Sequence, residues 1–146
     1  MSLAMSPEER QKFLAAVHIG VLSVADDGRG PWLLPIWYGY RPGGDVRIIT
    51  GRESRKTRLL REAGRASLCV QSEELPYRYV TVEGPVVGID ERVDHDERRS
   101  LAHRYLDAEM GDAYVQATAE VEEQEVVIRL RPERWLSADY AKQRFD

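Results

Sequence analysis

The most informative part of the sequence for the fold is the stretch Thr50-Gly51-Arg52-Glu53-Ser54-Arg55-Lys56-Thr57-Arg58. The β-branched, apolar residues 46–50 come immediately before it and predict a strand that ends at Thr50. Strong helix formers follow from Ser54 to about Ala63, and Gly64 is placed to end the helix. The stretch is therefore predicted to join the end of a strand to the start of a helix.

A junction of this kind favours the binding of anions. The first turn of a helix presents unpaired N–H groups and a partial positive charge. Ser54 and Thr57 add hydroxyl donors, and Arg55 and Lys56 carry enough charge to neutralise a phosphate dianion. The alternative is that Ser54 only caps the helix and that the basic side chains form its solvated face. The spacing alone leaves both interpretations open.

The residues N-terminal to this junction predict one helix and three strands. Ser6-Pro7-Glu8-Glu9 has capping-box spacing and predicts a helix to about Ala16. Residues 18–25 and 32–40 predict a hairpin around an Asp-Gly turn, and 46–50 predict the third strand. We expect these strands to form an antiparallel meander.

The residues C-terminal to the junction predict further strands and helices. Strands are indicated at 66–71 and 79–89, and Gly84-Pro85 in the second indicates a bend. Helices are indicated after Asp94 and near 112–119, followed by a strand at 125–130 that alternates polar and apolar residues. The fold class predicted is mostly β (α+β), a barrel of about six antiparallel strands with two or three peripheral helices.

Composition indicates one soluble globular domain over residues 1–146. The chain has 146 residues, of which 42% are hydrophobic and 32% charged, with a net charge of −4. This balance argues against a basic nucleic-acid-binding protein, and no apolar stretch is long enough to span a bilayer. We expect no nucleic-acid or membrane partner and a cytoplasmic location. The single cysteine, Cys69, is expected to be a buried, inert thiol.

The charge is unevenly distributed along the chain. Residues 47–65 contain seven basic and two acidic residues, a local excess of +5 that leaves −9 for the remainder. The chain thus combines an acidic body with one small basic segment. Spacing supports neither a metal site nor an acyl-transfer triad, so no metal ligand and no catalytic side chain is predicted.

Several motifs resemble one known family in the same order along the chain. Thr50, Ser54, Arg55 and Lys56 reproduce the Thr-x-x-x-Ser-Arg-Lys element of the pyridoxamine 5′-phosphate oxidase-like, FMN-binding split-barrel superfamily. The run from Lys56 to Arg61 resembles the Lys-Thr-Arg-Asn-Leu-Arg signature of its deazaflavin-binding branch. The same order is kept by Gly20-Val21-Leu22-Ser23-Val24, Pro35-Ile36-Trp37 and Tyr79-Val80-Thr81-Val82-Glu83-Gly84.

The resemblance implies a split-barrel homodimer that binds F420 or FMN in clefts between the protomers. The cofactor would supply hydride chemistry toward a small conjugated organic substrate. Arg52, Arg58 and Arg61 would suit the acidic tail of F420. The cofactor-binding residues implied are Pro35, Ile36 and Trp37 beside the ring, and Thr50, Gly51, Ser54, Arg55, Lys56, Thr57 and Arg58 around the phosphate.

Departures from the family pattern limit what the resemblance implies. Leu59 replaces the usual Asn, and the C-terminal Arg134-Trp135-Leu136 lacks the Arg-x-His element that grips the substrate of true pyridoxamine 5′-phosphate oxidases. Oxidation of vitamin B6 is therefore not expected. An oxidoreductase is the leading prediction. The alternatives are a non-catalytic protein that binds or sequesters FMN, F420 or haem, and a purely structural dimer.

A group of aromatic residues allows two interpretations. Trp32, Trp37, Tyr38 and Tyr40 alternate along one predicted strand. Such side chains can line a pocket for a flat ring, but they also commonly fill a core or a dimer interface.

Overall fold

The architecture is a curled antiparallel sheet with helices at its edges. The structure is a computed structural model and describes residues 2–143. The α-helices are α1 Pro7–Ala15, α2 Arg55–Ala63, α3 His95–Tyr105 and α4 Ala108–Ala117. The strands are β1 Gly20–Val24, β2 Trp32–Ile36, β3 Val46–Gly51, β4 Arg65–Ser72, β5 Arg78–Asp90, β6 Glu125–Leu130 and β7 Arg134–Asp139. The predicted α+β class with an antiparallel barrel is confirmed.

The sheet curls because the long strand β5 has different neighbours along its length. The strand order is β2-β1-β4-β5-β6-β3, and β7 pairs with β5 outside this path. The first half of β5 pairs with β4 and β7, whereas its second half pairs with β6. Every pairing is antiparallel. The bend that Gly84-Pro85 indicated lies where β5 changes partners.

Gly84 permits this bend because the chain after β6 passes directly over it. A Cβ atom at Gly84 would lie 1.7 Å from the carbonyl oxygen of Arg131. The crossing chain is held there by hydrogen bonds from Arg131 N to Pro85 O and from Glu133 N to Glu83 O, at 3.0 and 2.9 Å. A residue without a side chain is thus required at this position.

The meander predicted for the first 50 residues is wrong. The hairpin of β1 and β2 forms, with Gly20 opposite Ile36 and Val24 opposite Trp32. However, β3 pairs with β6 along its whole length, and its backbone pairing with the segment after β2 is limited, within residues 2–143, to the bridge between Gly39 and Arg47. Local alternation indicates a strand but not its partner, and here the partner lies about 80 residues later in sequence.

The helix boundaries follow the predicted caps closely. Ser6 and Glu9 form a complete capping box at α1, Ser54 caps α2, and Asp94 caps α3. Gly64 ends α2 in the left-handed conformation, with φ of 69°. The second helical piece begins earlier than predicted, at Ala108, and is followed by the 3₁₀ helix Ala119–Gln124. There are thus more helices than the two or three expected.

The C-terminal strand β7 was not predicted. It pairs with the first half of β5, from Arg78 opposite Asp139 to Glu83 opposite Arg134. Its alternation is weak, because Arg134 and Leu136 are both exposed and only Ala138 is buried.

The core lies inside the curl of the sheet. Its largest fully buried side chains include Tyr38, Leu14, Leu22 and Ile48, and Leu60 reaches it from α2. Tyr38 lies beyond the end of β2, and its hydroxyl donates a hydrogen bond to the carbonyl oxygen of Leu14 at 2.6 Å. For Tyr38 and Tyr40 the core interpretation is confirmed. None of the described helices combines the length and hydropathy that crossing a bilayer requires.

Candidate functional site

The junction between β3 and α2 is held rigidly by its own hydroxyl groups. Ser54 Oγ accepts a hydrogen bond from the Thr57 amide at 3.2 Å, which caps the helix. Thr57 Oγ1 donates to the carbonyl oxygen of Gly51 at 2.7 Å and lies 3.0 Å from Ser54 Oγ. Because Thr57 is fully buried, its hydroxyl shapes the junction from inside and does not face a ligand. Both the capping interpretation and an exposed helix N-terminus are compatible with this geometry.

Lys56 is the basic residue that the junction holds closest to the interior. Its Nζ donates to Thr50 Oγ1 at 3.2 Å, and burial lowers the pKa of its ammonium group. Within residues 2–143 it forms no ion pair with a carboxylate. A nearby anion would stabilise the charged form that burial disfavours, so this position suits a phosphate group.

Most of the other basic residues in 47–65 are already neutralised by carboxylates. Arg52 and Arg61 share Glu91 at 3.0 and 2.9 Å, and the remaining pairs are Arg47 with Glu97, Arg55 with Asp26, and Arg65 with Glu83 and Glu133. In the described part of the chain, only Lys56 and Arg58 of this segment lack a carboxylate partner. Of the seven cations in this segment, the two without such a partner therefore both lie at the start of α2.

Arg55 points away from the helix N-terminus. Besides its ion pair with Asp26 in the β1–β2 turn, its guanidinium lies 5.1 Å from the centre of the Trp32 ring. Such a cation–π contact fixes the side chain against the hairpin. Arg55 can contact an anion at α2 only if it leaves these partners.

A cavity of about 240 Å³ lies beside the junction and is lined by some of the predicted site residues. Pro35, Ile36, Trp37 and Lys56 all line it. The other predicted residues, Thr50, Gly51, Ser54, Arg55, Thr57 and Arg58, do not line it. The rest of the lining comes from β3 (Ile48 and Ile49), from the helical region between β5 and β6 (Arg98, Leu101, Ala102 and Tyr114) and from the first residue of β6 (Glu125).

Trp37 has aromatic neighbours on both helices of that region. Its ring stacks on Tyr105 of α3, with 4.9 Å between centroids and 5° between planes. The Tyr114 ring of α4 lies 5.4 Å away at 52°. Trp37 thus forms one wall of the cavity, but one face of its ring is covered by Tyr105.

The position of α3 is set by hydrogen bonds at its C-terminal end. The Tyr105 hydroxyl donates to His18 O at 2.7 Å and accepts from the Tyr38 amide at 3.1 Å. Arg104 donates to the carbonyl oxygens of Ala15 and Ala16 at 3.0 and 2.9 Å. These contacts tie α3 to the end of α1 and to the segment after β2, which fixes the face that borders the cavity.

Arg98 is the site residue that the sequence analysis missed. It is 4% exposed and pairs with Glu125 Oε1 at 2.7 Å. Arg98, Leu101, Ala102 and Tyr105 are spaced i, i+3, i+4 and i+7, so they share one face of α3. An arginine on the apolar face of a helix was the available signal, but Glu125 lies 27 residues away and could not be identified as its partner.

A second, larger groove of about 850 Å³ lies on the other side of α3. Its lining combines acidic and basic residues, among them Glu97 and Arg47, which pair at 2.6 Å. Burial raises the pKa of Glu97. Since its charges are largely matched to one another, the groove shows no preference for one class of ligand.

Comparisons with known proteins agree with the fold. A family model described as pyridoxamine 5′-phosphate oxidase matches residues 6–139. No curated protein matches the chain. A conserved hypothetical protein from Mycobacterium tuberculosis has a TM-score of 0.78 and 24% identity, with 95% of this chain and 88% of that one covered.

Two further solved structures are named for a cofactor. One is described as an F420 reductase, with a TM-score of 0.69, 21% identity, and coverage of 86% of this chain and 94% of that one. The other is an FAD-binding protein from Mesorhizobium loti, with a TM-score of 0.64, 23% identity, and coverage of 91% of both chains. At this level of identity the likeness is one of fold.

Proposed function

The chain belongs to the pyridoxamine 5′-phosphate oxidase family, and from this premise we propose that it is an oxidoreductase that binds F420 or FMN. The observation that carries the proposal is the half-buried Lys56 ammonium group at the start of α2, which forms no ion pair with a carboxylate within residues 2–143. Structures described as an F420 reductase and an FAD-binding protein share the fold, which supports a flavin-type cofactor.

The residues at the junction fit the phosphate of such a cofactor. The first-turn amides of Arg55 and Lys56 have no acceptor within the helix, and the α2 dipole favours an anion there. Lys56 would hold the phosphate, with Ser54 at the cap and Thr50 beside Nζ. Arg58, exposed and without a carboxylate partner among the described residues, would hold a further anionic group. Gly51 and Thr57 would keep the junction in shape, and Arg55 would contribute after release from Asp26.

The segment Pro35-Ile36-Trp37 would contact the ring system of the cofactor. Pro35 and Trp37 line the cavity from the same strand end, and Ile36 closes it toward the core. When bound, the cofactor supplies the hydride for reduction of a small conjugated substrate. The chain's own contribution is to bind and orient the cofactor and to exclude water with the apolar wall of α3.

The proposal includes a homodimer, because a mostly apolar row of side chains on the outer face of the sheet is partly exposed among the described residues. A cross-strand row runs from Pro35 through Val21, Cys69 and Thr81 to Leu136. Val21 is 38% exposed and Leu136 is 61% exposed. Pro35 belongs to this row and also lines the cavity, so a second copy packed on this face would border the site. The expected cytoplasmic location and the absence of nucleic-acid and membrane partners stay predictions.

Titration of the purified protein with F420 and with FMN, followed by cofactor fluorescence, tests the proposal. Binding of either at micromolar concentration or below is expected. Failure of both to bind would overturn it. Reduced cofactor should then be consumed when quinones and enones are added. Tight binding without turnover across that panel would instead support the alternative of a protein that sequesters its cofactor.

A further inference from the structure

The guanidinium of Arg98 is buried but not completely paired. Nε donates to Glu125 Oε1 at 2.7 Å, and Nη2 donates to Thr118 Oγ1 at 2.8 Å and to Thr118 O at 3.2 Å. Nη1 is buried and has no hydrogen-bond partner within residues 2–143. Buried polar groups are nearly always paired, so an unpaired guanidinium N–H beside a cavity indicates an acceptor that binds there.

As long as no cofactor phosphate occupies Lys56, the cavity beside Arg98 carries a positive excess. Lys56 and Arg98 contribute two positive charges to its lining, and Glu125 contributes one negative charge. Most of the exposed lining is polar, because the apolar side chains of Ile36, Ile48 and Ala102 are buried beneath it. A ligand that matches this lining is small and polar and carries one negative group.

The size of the cavity restricts the ligand further. Its volume of about 240 Å³ is below the roughly 300–1,000 Å³ of pockets that enclose a whole drug-sized ligand. Tyr114 of α4 forms the outer wall: its ring centre lies 5.8 Å from the Arg98 guanidinium carbon, and it is 39% exposed. Because Nη1 itself is buried, a ligand reaches it only when a side chain of the cavity lining moves.

We propose that the side of this cavity formed by α3 and α4, and not the side at Pro35 and Trp37 that would contact the cofactor ring, is a substrate subsite for a small carboxylate held by Arg98 Nη1. Nη1 carries two N–H groups that can donate charge-assisted hydrogen bonds to a carboxylate, and the Glu125 and Thr118 contacts fix the guanidinium in place. As a substrate subsite the assignment rests on the proposed function. As an anion site it rests on Arg98 and the cavity alone.

Fluorine NMR of the full-length protein tests the subsite, with 4-fluorobenzoate and the neutral 4-fluorobenzamide as probes of nearly equal shape. The acid is expected to bind at least about tenfold more tightly than the amide, because only the acid offers a charged acceptor. Equal affinities, or no binding of the acid, would overturn the proposal.

Variants on neighbouring positions of α3 test the role of Arg98 itself. Arg98→Lys keeps the charge beside Glu125 but loses the Nη1 donor, and it should weaken 4-fluorobenzoate binding by about tenfold. Arg99→Lys, exposed on the same helix and absent from the cavity lining, is the matched control and should bind as the unchanged protein does. Undiminished binding by Arg98→Lys contradicts the assignment. If that variant does not fold, the comparison of acid and amide decides.

Cofactor titrations on the same samples separate this proposal from the proposed function. Cofactor binding without a preference for the acid overturns the subsite and leaves the proposed function standing. A preference for the acid without binding of F420 or FMN supports the anion site and overturns the proposed function.

Discussion

Lys56 is the residue on which cofactor affinity should depend most. Its ammonium group is half-buried, and a phosphate would supply the anion that it lacks among the described residues. Loss of a charge-assisted hydrogen bond costs about 1.5–3 kcal/mol. Lys56→Ala should therefore weaken the binding of F420 or FMN by about ten- to hundredfold, measured by fluorescence titration.

Lys12→Ala is the matched control for this substitution. Lys12 lies exposed on α1, so its replacement removes the same charge without changing the junction. The cofactor affinity of Lys12→Ala should equal that of the unchanged protein. Equal losses in both variants would show that only net charge matters, and no loss in Lys56→Ala would place the phosphate elsewhere.

At the scale of residues, the sequence predicted local contacts better than distant ones. Ser54 caps α2 as expected, because a cap and its amide are three residues apart. The ion pairs that neutralise Arg52 and Arg61 could not be predicted, since their shared partner Glu91 lies 39 and 30 residues away. Charge counting along the sequence therefore overestimated the positive charge available to an anion.

At the scale of elements, the passage of the chain from β6 to β7 over β5 depends on Gly84. An added Cβ would meet a backbone carbonyl at 1.7 Å, which cannot rotate away as a side chain could. Gly84→Ala should lower the free energy of unfolding by about 1–3 kcal/mol or more. Gly30→Ala, where nothing lies within 4 Å, is the control and should change it by less than about 1 kcal/mol. Urea denaturation of both variants measures the difference, and equal stabilities would contradict the close approach.

The packing of His18 between α1 and β1 should make stability depend on pH. Its ring lies 4.4 Å from that of Phe13, and Nε2 donates to Phe13 O at 2.9 Å. Burial lowers the pKa of His18, so the unfolded chain binds the proton more readily than the folded one. The stability that neutral His18 contributes to the folded chain is fully present above the unfolded pKa of about 6.5. It is lost as the pH falls toward the lower pKa of the folded state.

His18→Gln isolates this contribution from the other groups that titrate in acid. Glutamine can still donate to Phe13 O but does not titrate. The free energy of unfolding should therefore fall more steeply between neutral pH and pH ~5.5 in the unchanged protein than in the variant. Parallel curves from urea denaturation at several pH values would show that His18 is not responsible.

The elements that sequence reasoning recovered are those with strong local signals. Helices α1 and α2 were predicted because caps and glycines mark their ends. The strand β7 was missed because its exposed Leu136 interrupts the apolar alternation, and its stability comes from pairing with β5 instead. The exposure of Leu136 is itself informative, since it places an apolar side chain on the outer face of the sheet.

At the scale of the whole molecule, the outer face is built from segments far apart in sequence. Pro35, Val21, Cys69 and Leu136 come from four different strands and become neighbours only through the strand order. No periodicity within one segment could reveal this surface. The resemblance to a dimeric family predicted a partner, and the strand register indicates where it would pack.

The last prediction concerns this face. If two copies pack through it, the protein should elute at twice its chain mass of 16.7 kDa in size-exclusion chromatography with light scattering. Leu136→Lys places a charge where apolar surface would be buried and should raise the dimer dissociation constant by at least about tenfold. Val121→Lys, on the 3₁₀ helix and 42% exposed, carries the same change away from the face and should stay dimeric.

Since Pro35 joins this face to the cavity, cofactor affinity should fall together with dimerisation in Leu136→Lys. A dimer insensitive to Leu136→Lys would move the interface elsewhere, and a monomeric unchanged protein that still binds cofactor would show that one copy completes the site.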